Sequence, residues 1–421
     1  MRRVLLGDVA RVEISGVDKK INSGEQPVRL CNFTDVYKNW AITEKMYSGL
    51  MVASASQKEI SKFVLRRGQV AVTKDSETRD DIGIPAYIAD DFDDVLLGYH
   101  CALITPDESQ LNGKYLNAFL HTNYIQKFFS ANASGSGQRY TLSVETLNSI
   151  PLFLPDIDEQ RRIGELFSNL DRKITLSRRT NEDLEEMARQ LYDYWFVQFD
   201  FPDENGRPYR AAGGVLTWNS SLKRDIPSGW DVASLDTLCD RIQSGGTPVT
   251  SNRSYYQGDN AWYSTQELTD KWLVDSIKHI SDDAIENSAA KLFAANTVVI
   301  AIYASPTVGR LGLLSEVGSF NQACCGLVVG SRISKEYLFM TLKACRKQLN
   351  TLADGTAQKN LNVGKIKDFK ILVPEQRVML LWSERMEPLF SLLLNHEKEI
   401  KDLTKQRDSL IPLLMNGQVS L

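Results

Sequence analysis

GSGQRYTLSVETLNSIPLFLPDIDEQRRI, residues 135–163, has a counterpart later in the same chain, GTAQKNLNVGKIKDFKILVPEQRVM, residues 355–379. Gln138 answers Gln358, Arg139 answers Lys359, Leu142 answers Leu361, Val144 answers Val363 and Pro155 answers Pro374. Glu159-Gln160-Arg161 answers Glu375-Gln376-Arg377. One extra residue at Tyr140 and three fewer after Pro374 keep the register, which chance does not explain. Weaker matches extend backwards in the same order. Leu6-Gly7-Asp8-Val9 with Gly16 answers Leu235-Asp236-Thr237-Leu238 with Gly245; Asp35-Val36 answers Glu267-Leu268; Gly83 answers Gly309; Lys114-Tyr115-Leu116 answers Glu336-Tyr337-Leu338. The chain is two copies of one unit, each a globular part followed by a helical part.

The helical parts follow from periodicity. After Pro155, heptad a positions fall on Ile163, Leu170, Ser177, Leu184 and Leu191, with Leu166, Met187 and Tyr194 at d. After Pro374, Met379, Met386, Leu393 and Ile400 take a, and Trp382, Leu389, Leu403 and Leu410 take d. Each run predicts a helix that starts behind a proline and turns one side toward a partner helix. Lys173, Thr180, His396 and Arg407 interrupt the seams, as suits a pair held in one register, and Pro388 is expected to kink or break the second helix. The globular parts mix short apolar runs, such as Val70–Val72 and Thr297–Ile302, with turns and helical stretches, which predicts an α+β class. DFPDENGRPYRAAGG, residues 200–214, reads as a linker before Ile226-Pro227-Ser228-Gly229-Trp230 opens the second copy.

With 421 residues, 43% hydrophobic and 24% charged, the chain can bury large cores without staples. The apolar start of MRRVLLGDVARVEI is interrupted too soon by Asp8 and Arg11 for a signal peptide, and no stretch approaches the ~20 apolar residues of a membrane span. Six scattered cysteines form no disulfide framework, so a reducing cytoplasm is the expected location. A net charge of −4 argues against a protein that coats nucleic acid without regard to sequence, and neither globular part is net basic. Strong DNA binding would then need charge from partners.

A globular part ending in Gly-x-x-Gln-basic-x-Leu, then Ile-Pro-Leu-x-Leu-Pro, Glu-Gln-x-x-Ile and a long helix, resembles one target-recognition domain and spacer helix of a Type I restriction–modification specificity subunit. The motif stands at 135–163 and, degenerate, at 355–379, where Asn360 departs and Lys370 replaces the proline answering Pro151. Tyr192-Asp193-Tyr194-Trp195-Phe196 with Phe201-Pro202, the Ile226–Trp230 opener and Leu413–Val419 also resemble that family. The resemblance implies an α+β chain: two α/β target-recognition domains in pseudo-twofold arrangement, separated by two long antiparallel coiled-coil-like helices. Its parts are a first recognition domain at 1–155, a spacer helix at 156–200, a linker at 201–224, a second recognition domain at 225–374 and a second helical region at 375–421. It also implies double-stranded DNA as ligand, two modification subunits using S-adenosylmethionine, restriction subunits using ATP and magnesium, and no cofactor held by this chain.

Two diverged readers on one chain can read two different half-sites in order, giving a bipartite, asymmetric target. A helix from 159 to 198 would span roughly 60 Å and hold the readers about one DNA turn apart. Base edges are read by Arg or Lys at guanine and Asn or Gln at adenine. The candidate residues are Lys74, Arg79, Gln138, Arg139 and Tyr140 in the first copy. In the second they are Thr247, Asn252, Arg253, Tyr303, Arg310, Gln358, Lys359 and Asn360. For each loop the alternative is a solvated surface that touches nothing, although an amide beside a cation at equivalent places in both copies is harder to ascribe to solvation.

Cys324-Cys325 reads as core filling, Asp90–Asp94 and Asp282-Asp283 as solvated surface, and the aromatic run Tyr192–Phe201 as buried packing. The four histidines stand far apart, and no Cys-x-x-Cys or His-Glu-x-x-His occurs, so a metal site is not expected. No adjacent prolines offer a methyltransferase Asn/Asp-Pro-Pro loop, and Gly113-Lys114 and Gly364-Lys365 lack the rest of a phosphate-binding loop. Catalysis is expected in other chains. The competing function is a coiled-coil scaffold whose globular parts bind protein, which selective retention of DNA in the presence of partners would exclude.

Overall fold

Val70–Thr73 and Val298–Ala301 are strands of four residues buried throughout, and each is the middle strand of a five-stranded sheet. A strand with no polar face has to be covered on both sides. The computed structural model describes residues 2–135, 138–303, 306–352 and 360–419, in two compact units, Met1–Thr175 with Asp402–Leu421, and Leu176–Lys401.

In the first unit the sheet order is Ala10–Ile14, Cys101–Pro106, Val70–Thr73, Pro85–Ile88, Ala41–Ile42, antiparallel except for the last pair. In the second it is Cys239–Ser244, Cys324–Val329, Val298–Ala301, Leu311–Leu314, Lys271–Leu273, again with only the last pair parallel. Each unit adds a three-stranded sheet around Gln26–Cys31 or Asn260–Tyr263. A terminal pair, Arg2–Leu5 with Pro151–Leu154 or Asp231–Ser234 with Lys370–Val373, completes each. Lys370 therefore starts its strand as Pro151 does, at the first position, where a missing N–H is tolerated.

The duplication holds down to single hydrogen bonds. The Leu142 N–H donates to the Lys74 carbonyl at 2.8 Å, and the Leu361 N–H to that of Ile302 at 2.8 Å. Leu6 bonds to Ile150 at 2.9 Å, and Leu235 to Phe369 at 3.0 Å. Gly83 and Gly309 adopt φ of 79° and 81° and donate to Thr73 and Ala301 at 3.0 and 2.9 Å. This left-handed turn suits glycine, and at Gly83 a Cβ would also lie 2.2 Å from the Phe129 ring. One pairing shifts by a residue: Ser15, not Gly16, answers Gly245, because both N–H groups donate to the equivalent carbonyls of Cys101 and Cys324, at 3.1 and 3.0 Å.

Tyr115 and Tyr337 tie each unit together. Each sits in the first turn of a helix, Gly113–Leu120 or Lys335–Ala344, capped by Asn112 or Ser334. Each hydroxyl then donates to a terminal-strand carbonyl, Phe153 at 2.5 Å and Leu372 at 2.6 Å. Burial pushes both phenols well above their usual range.

The long helices are Ile157–Tyr192 and Gln376–Met415. Asp156 starts the first by accepting the Glu159 N–H at 2.9 Å. Buried Gln160 secures its opening, its Oε1 accepting from Asn112 N–H and its Nε2 donating to the Gln110 and Pro155 carbonyls. The heptad phase needs correction. Phe167, Ile174, Asn181, Ala188 and Trp195 are buried, each four residues after an a position, whereas Met187 is 58% and Tyr194 38% exposed. Both i+3 and i+4 satisfy helical periodicity, and Leu166-Phe167 is apolar at both, so its first turn leaves the phase undecided.

In the first unit, Ile163 and Phe167 share a core with Ile411, Leu414 and Met415. In the second, the two helices share an apolar core around Tyr192, Trp195 and Trp382 and a polar stretch: Asn181 Nδ2 donates to Glu397 Oε1 at 3.0 Å, His396 Nδ1 lies 2.9 Å from Asn181 Oδ1, and Ser177 Oγ donates to Glu399 at 2.8 Å. Residue numbers rise on one helix as they fall on the other, so these segments run antiparallel. Pro388 does not end its helix, which continues to Met415. It lies on the exposed side with Glu384, so the carbonyl it leaves unpaired is open to water.

Replacing Tyr115 or Tyr337 by Phe should lower stability by about 1–2 kcal/mol in either unit, measured by chemical denaturation; no loss at either would deny the tie. Phe167→Ala should cost about 3–5 kcal/mol and Met187→Ala less than about 0.5 kcal/mol. The reverse ranking would restore the i+3 phase.

Candidate nucleic-acid interface

Beyond its buried strand the first unit turns polar at once. Asp75-Ser76 pairs with Tyr140-Thr141, which pairs with Ser134-Gly135, forming a small three-stranded ribbon. Gly135, at φ 148°, is required there because a Cβ would lie 2.0 Å from the Arg139 carbonyl. Asp75 Oδ2 lies 2.9 Å from Lys74 Nζ, 2.7 Å from His100 Nδ1 and 3.2 Å from Arg139 Nη2. Burial alone would raise the Asp75 carboxyl, but hydrogen bonds from His100, Lys74 and Thr141 outweigh it and hold the pKa below the usual carboxylate range.

Lys74 is 16% exposed and directs its ammonium to Asp75, whereas the Arg139 side chain is 58% exposed. The Arg79 guanidinium lies 5.0 Å from the Tyr140 ring centroid, and Gln138 is exposed on the same ribbon. The structure thus gathers Lys74, Arg79, Gln138, Arg139 and Tyr140 at one end of the sheet. Sequence reasoning missed Asp75 and His100 as members. Pairing the run Val70–Thr73 with Cys101–Ile104 would have found them, because the Lys74 N–H donates to the His100 carbonyl at 3.0 Å.

In the second unit the Ile302 N–H donates to the Ala323 carbonyl at 2.8 Å. By that equivalence Tyr303 occupies the place of Asp75, and Ala323 that of His100. Tyr303 is 39% exposed. Nearby, Thr247 Oγ1 donates to Gln322 Oε1, and Asn360 precedes the Leu361 that is bonded to Ile302. Arg310 is half-buried behind the Gly309 turn.

Asn252 is not part of this group. Its Oδ1 accepts from the Ser254 N–H at 3.2 Å and hydroxyl at 2.7 Å, capping the turn that carries exposed Arg253. Tyr256, in the same turn, meets Trp262 edge-on and donates to the Pro248 carbonyl at 2.9 Å. Gln358 and Lys359 lie outside the described residues.

The remaining motifs are structural. Cys324 and Cys325 are buried in a strand, and burial pushes the Cys325 thiol up to about 12. The acidic stretch is less idle than expected: Asp90, Asp91 and Asp94 accept from the Glu44 N–H, the Arg67 N–H and the Tyr47 hydroxyl at 2.8, 3.1 and 2.7 Å. Tyr192, Trp195, Phe196, Phe199 and Phe201 pack with Trp230 and Trp382 in the second unit's core, while Tyr194 stays exposed. Among the described residues no cluster of three metal-ligating side chains occurs, and no helix is long and apolar enough to cross a membrane.

Comparison with known proteins agrees with the repeated scaffold. The Haemophilus influenzae Type I restriction enzyme HindI specificity subunit is 24% identical over 417 residues, covering 85% of this chain and 88% of that protein. The Methanocaldococcus jannaschii MjaIX specificity subunit is 23% identical over 310 residues, 73% of this chain and 69% of that one. The crystal structure of a Type I restriction-modification S subunit from M. genitalium superposes with a TM-score of 0.59 at 15% identity, covering 98% of this chain and 96% of that one, which speaks to the fold. The sequence profile of the Type I restriction modification DNA specificity domain matches twice, at residues 6–186 and 227–405, and the chain belongs to that family.

Proposed function

We propose that this specificity subunit reads a bipartite, asymmetric DNA target, one half-site per unit, and directs partner modification and restriction subunits to it. The observation that carries this reading is one backbone frame bearing different side chains at the same places. Asp75 and His100 stand where the frame ends in the first unit, with Arg139 against Asp75; Tyr303 and Ala323 stand there in the second. A shared frame fixes the distance of approach, and differing donors and acceptors change which base edge is bound. Arg79, Gln138 and Tyr140, and in the second unit Thr247, Arg253, Arg310, Gln358, Lys359 and Asn360, are the remaining candidate contacts, to bases or phosphates.

The chain's net charge of −4 fits a reader that works inside a larger assembly, where the modification subunits supply most of the counter-charge for the duplex. Catalysis belongs to those partners, the modification subunits with S-adenosylmethionine and the restriction subunits with ATP. The long helices set the unread gap between the half-sites.

Exchange of residues 1–155 for the matching part of a relative should change one half-site and leave the other intact, as read by methylome mapping. Both halves changing together would refute separate readers. Four residues inserted in the first long helix, about 6 Å of rise, should lengthen the unread gap by a base pair or two with both half-sites retained. Full activity on the original spacing would show that the helix is no ruler.

A further inference from the structure

Arg139 is held from behind. Among the described residues only its Nη2 is engaged, with Asp75 at 3.2 Å and against the His100 ring. Nε and Nη1 have no partner among the described residues, and the side chain is 58% exposed. Asp75 is itself buried and made acidic by its neighbours, so it stays charged and keeps its grip. A planar guanidinium held through one N–H of Nη2 still presents a pair of parallel donors, its second Nη2 N–H together with Nη1 or Nε, and the O6/N7 edge of guanine is their neutral complement. A phosphate oxygen could accept the same donors, but Asp75 offsets part of the positive charge of Lys74 and Arg139 that would draw it. Guanine, being neutral, loses nothing by that offset.

On the reading that the first unit binds one half-site, we infer that Arg139 reads a guanine of that half-site and that Asp75 is its positioning residue. Asp75 fixes the plane of the guanidinium and offsets the charge that would otherwise favour any phosphate. The second unit has Tyr303 in this place, so the device acts on the first half-site alone.

The test uses the chain assembled with its modification subunits, binding duplexes in which each guanine of the first half-site is replaced in turn, at several salt concentrations. Arg139→Ala and Arg139→Lys should each lose discrimination at one and the same guanine by about tenfold or more, with the second half-site read as in the wild type. The Lys variant keeps the charge and should keep the salt slope. Asp75→Asn should weaken discrimination at that guanine, bind unrelated DNA more tightly and steepen the salt slope by about one, as a freed arginine turns to phosphate. An even loss across all sequences in Arg139→Ala, with the slope reduced by about one, would make Arg139 a phosphate contact and overturn the inference. So would Asp75→Asn with wild-type discrimination and wild-type binding to unrelated DNA. Should Asp75→Asn fail to fold, Arg139→Lys decides: full discrimination at every guanine overturns the inference. A wild-type complex that selects no sequence would instead defeat the DNA-reading function itself, whereas selective binding by wild type and all variants alike would defeat only this assignment.

Discussion

The constraint on which the rest depends is a short strand buried on both faces and paired on both edges. Val70–Thr73 and Val298–Ala301 have no side open to water, so the sheet order around them is fixed by the need to satisfy every N–H and carbonyl. Where each strand ends, the backbone continues the same ladder, Lys74 to His100 and Ile302 to Ala323, and delivers the next side chain to one spot. Precision at that spot comes from the core beneath it. The side chain placed there differs, Asp75 in the first unit and Tyr303 in the second, while the backbone hydrogen bonds beneath it stay the same. That separation of frame from reader is what a specificity protein requires if its target is to change without loss of fold.

Much of the architecture was legible in the sequence because duplication doubles every signal. Gly83 and Gly309, Tyr115 and Tyr337, and Leu142 and Leu361 were paired by order along the chain, and the structure gives each pair the same turn or hydrogen bond. What failed was phase. A helix offers i+3 and i+4 as equal neighbours, and only tertiary packing chose Phe167 over Leu166 and Ala188 over Met187. Proline failed as a breaker for a related reason: the cost of Pro388 depends on whether the orphaned carbonyl can reach water, and on this helix face it can.

The site was harder to read than the fold. Cations and amides on loops are visible in a sequence, but the group that organises them, Asp75, looks like any acidic loop residue until the strand partner of Lys74 is known. His100 lies 25 residues away along the chain and meets it only through that pairing. The same ambiguity worked the other way at Asn252 and at Asp90–Asp94, where polar side chains that looked available are spent on backbone N–H groups of their own unit. A polar residue on a loop is a ligand contact only after its local obligations have been counted.

Methylation-sensitive sequencing of DNA from cells that carry this chain with its modification partner is the most direct measurement of the central claim. The account predicts a single motif of two unlike half-sites separated by a fixed run of unread positions. A palindromic motif, or methylation without sequence preference, would contradict it.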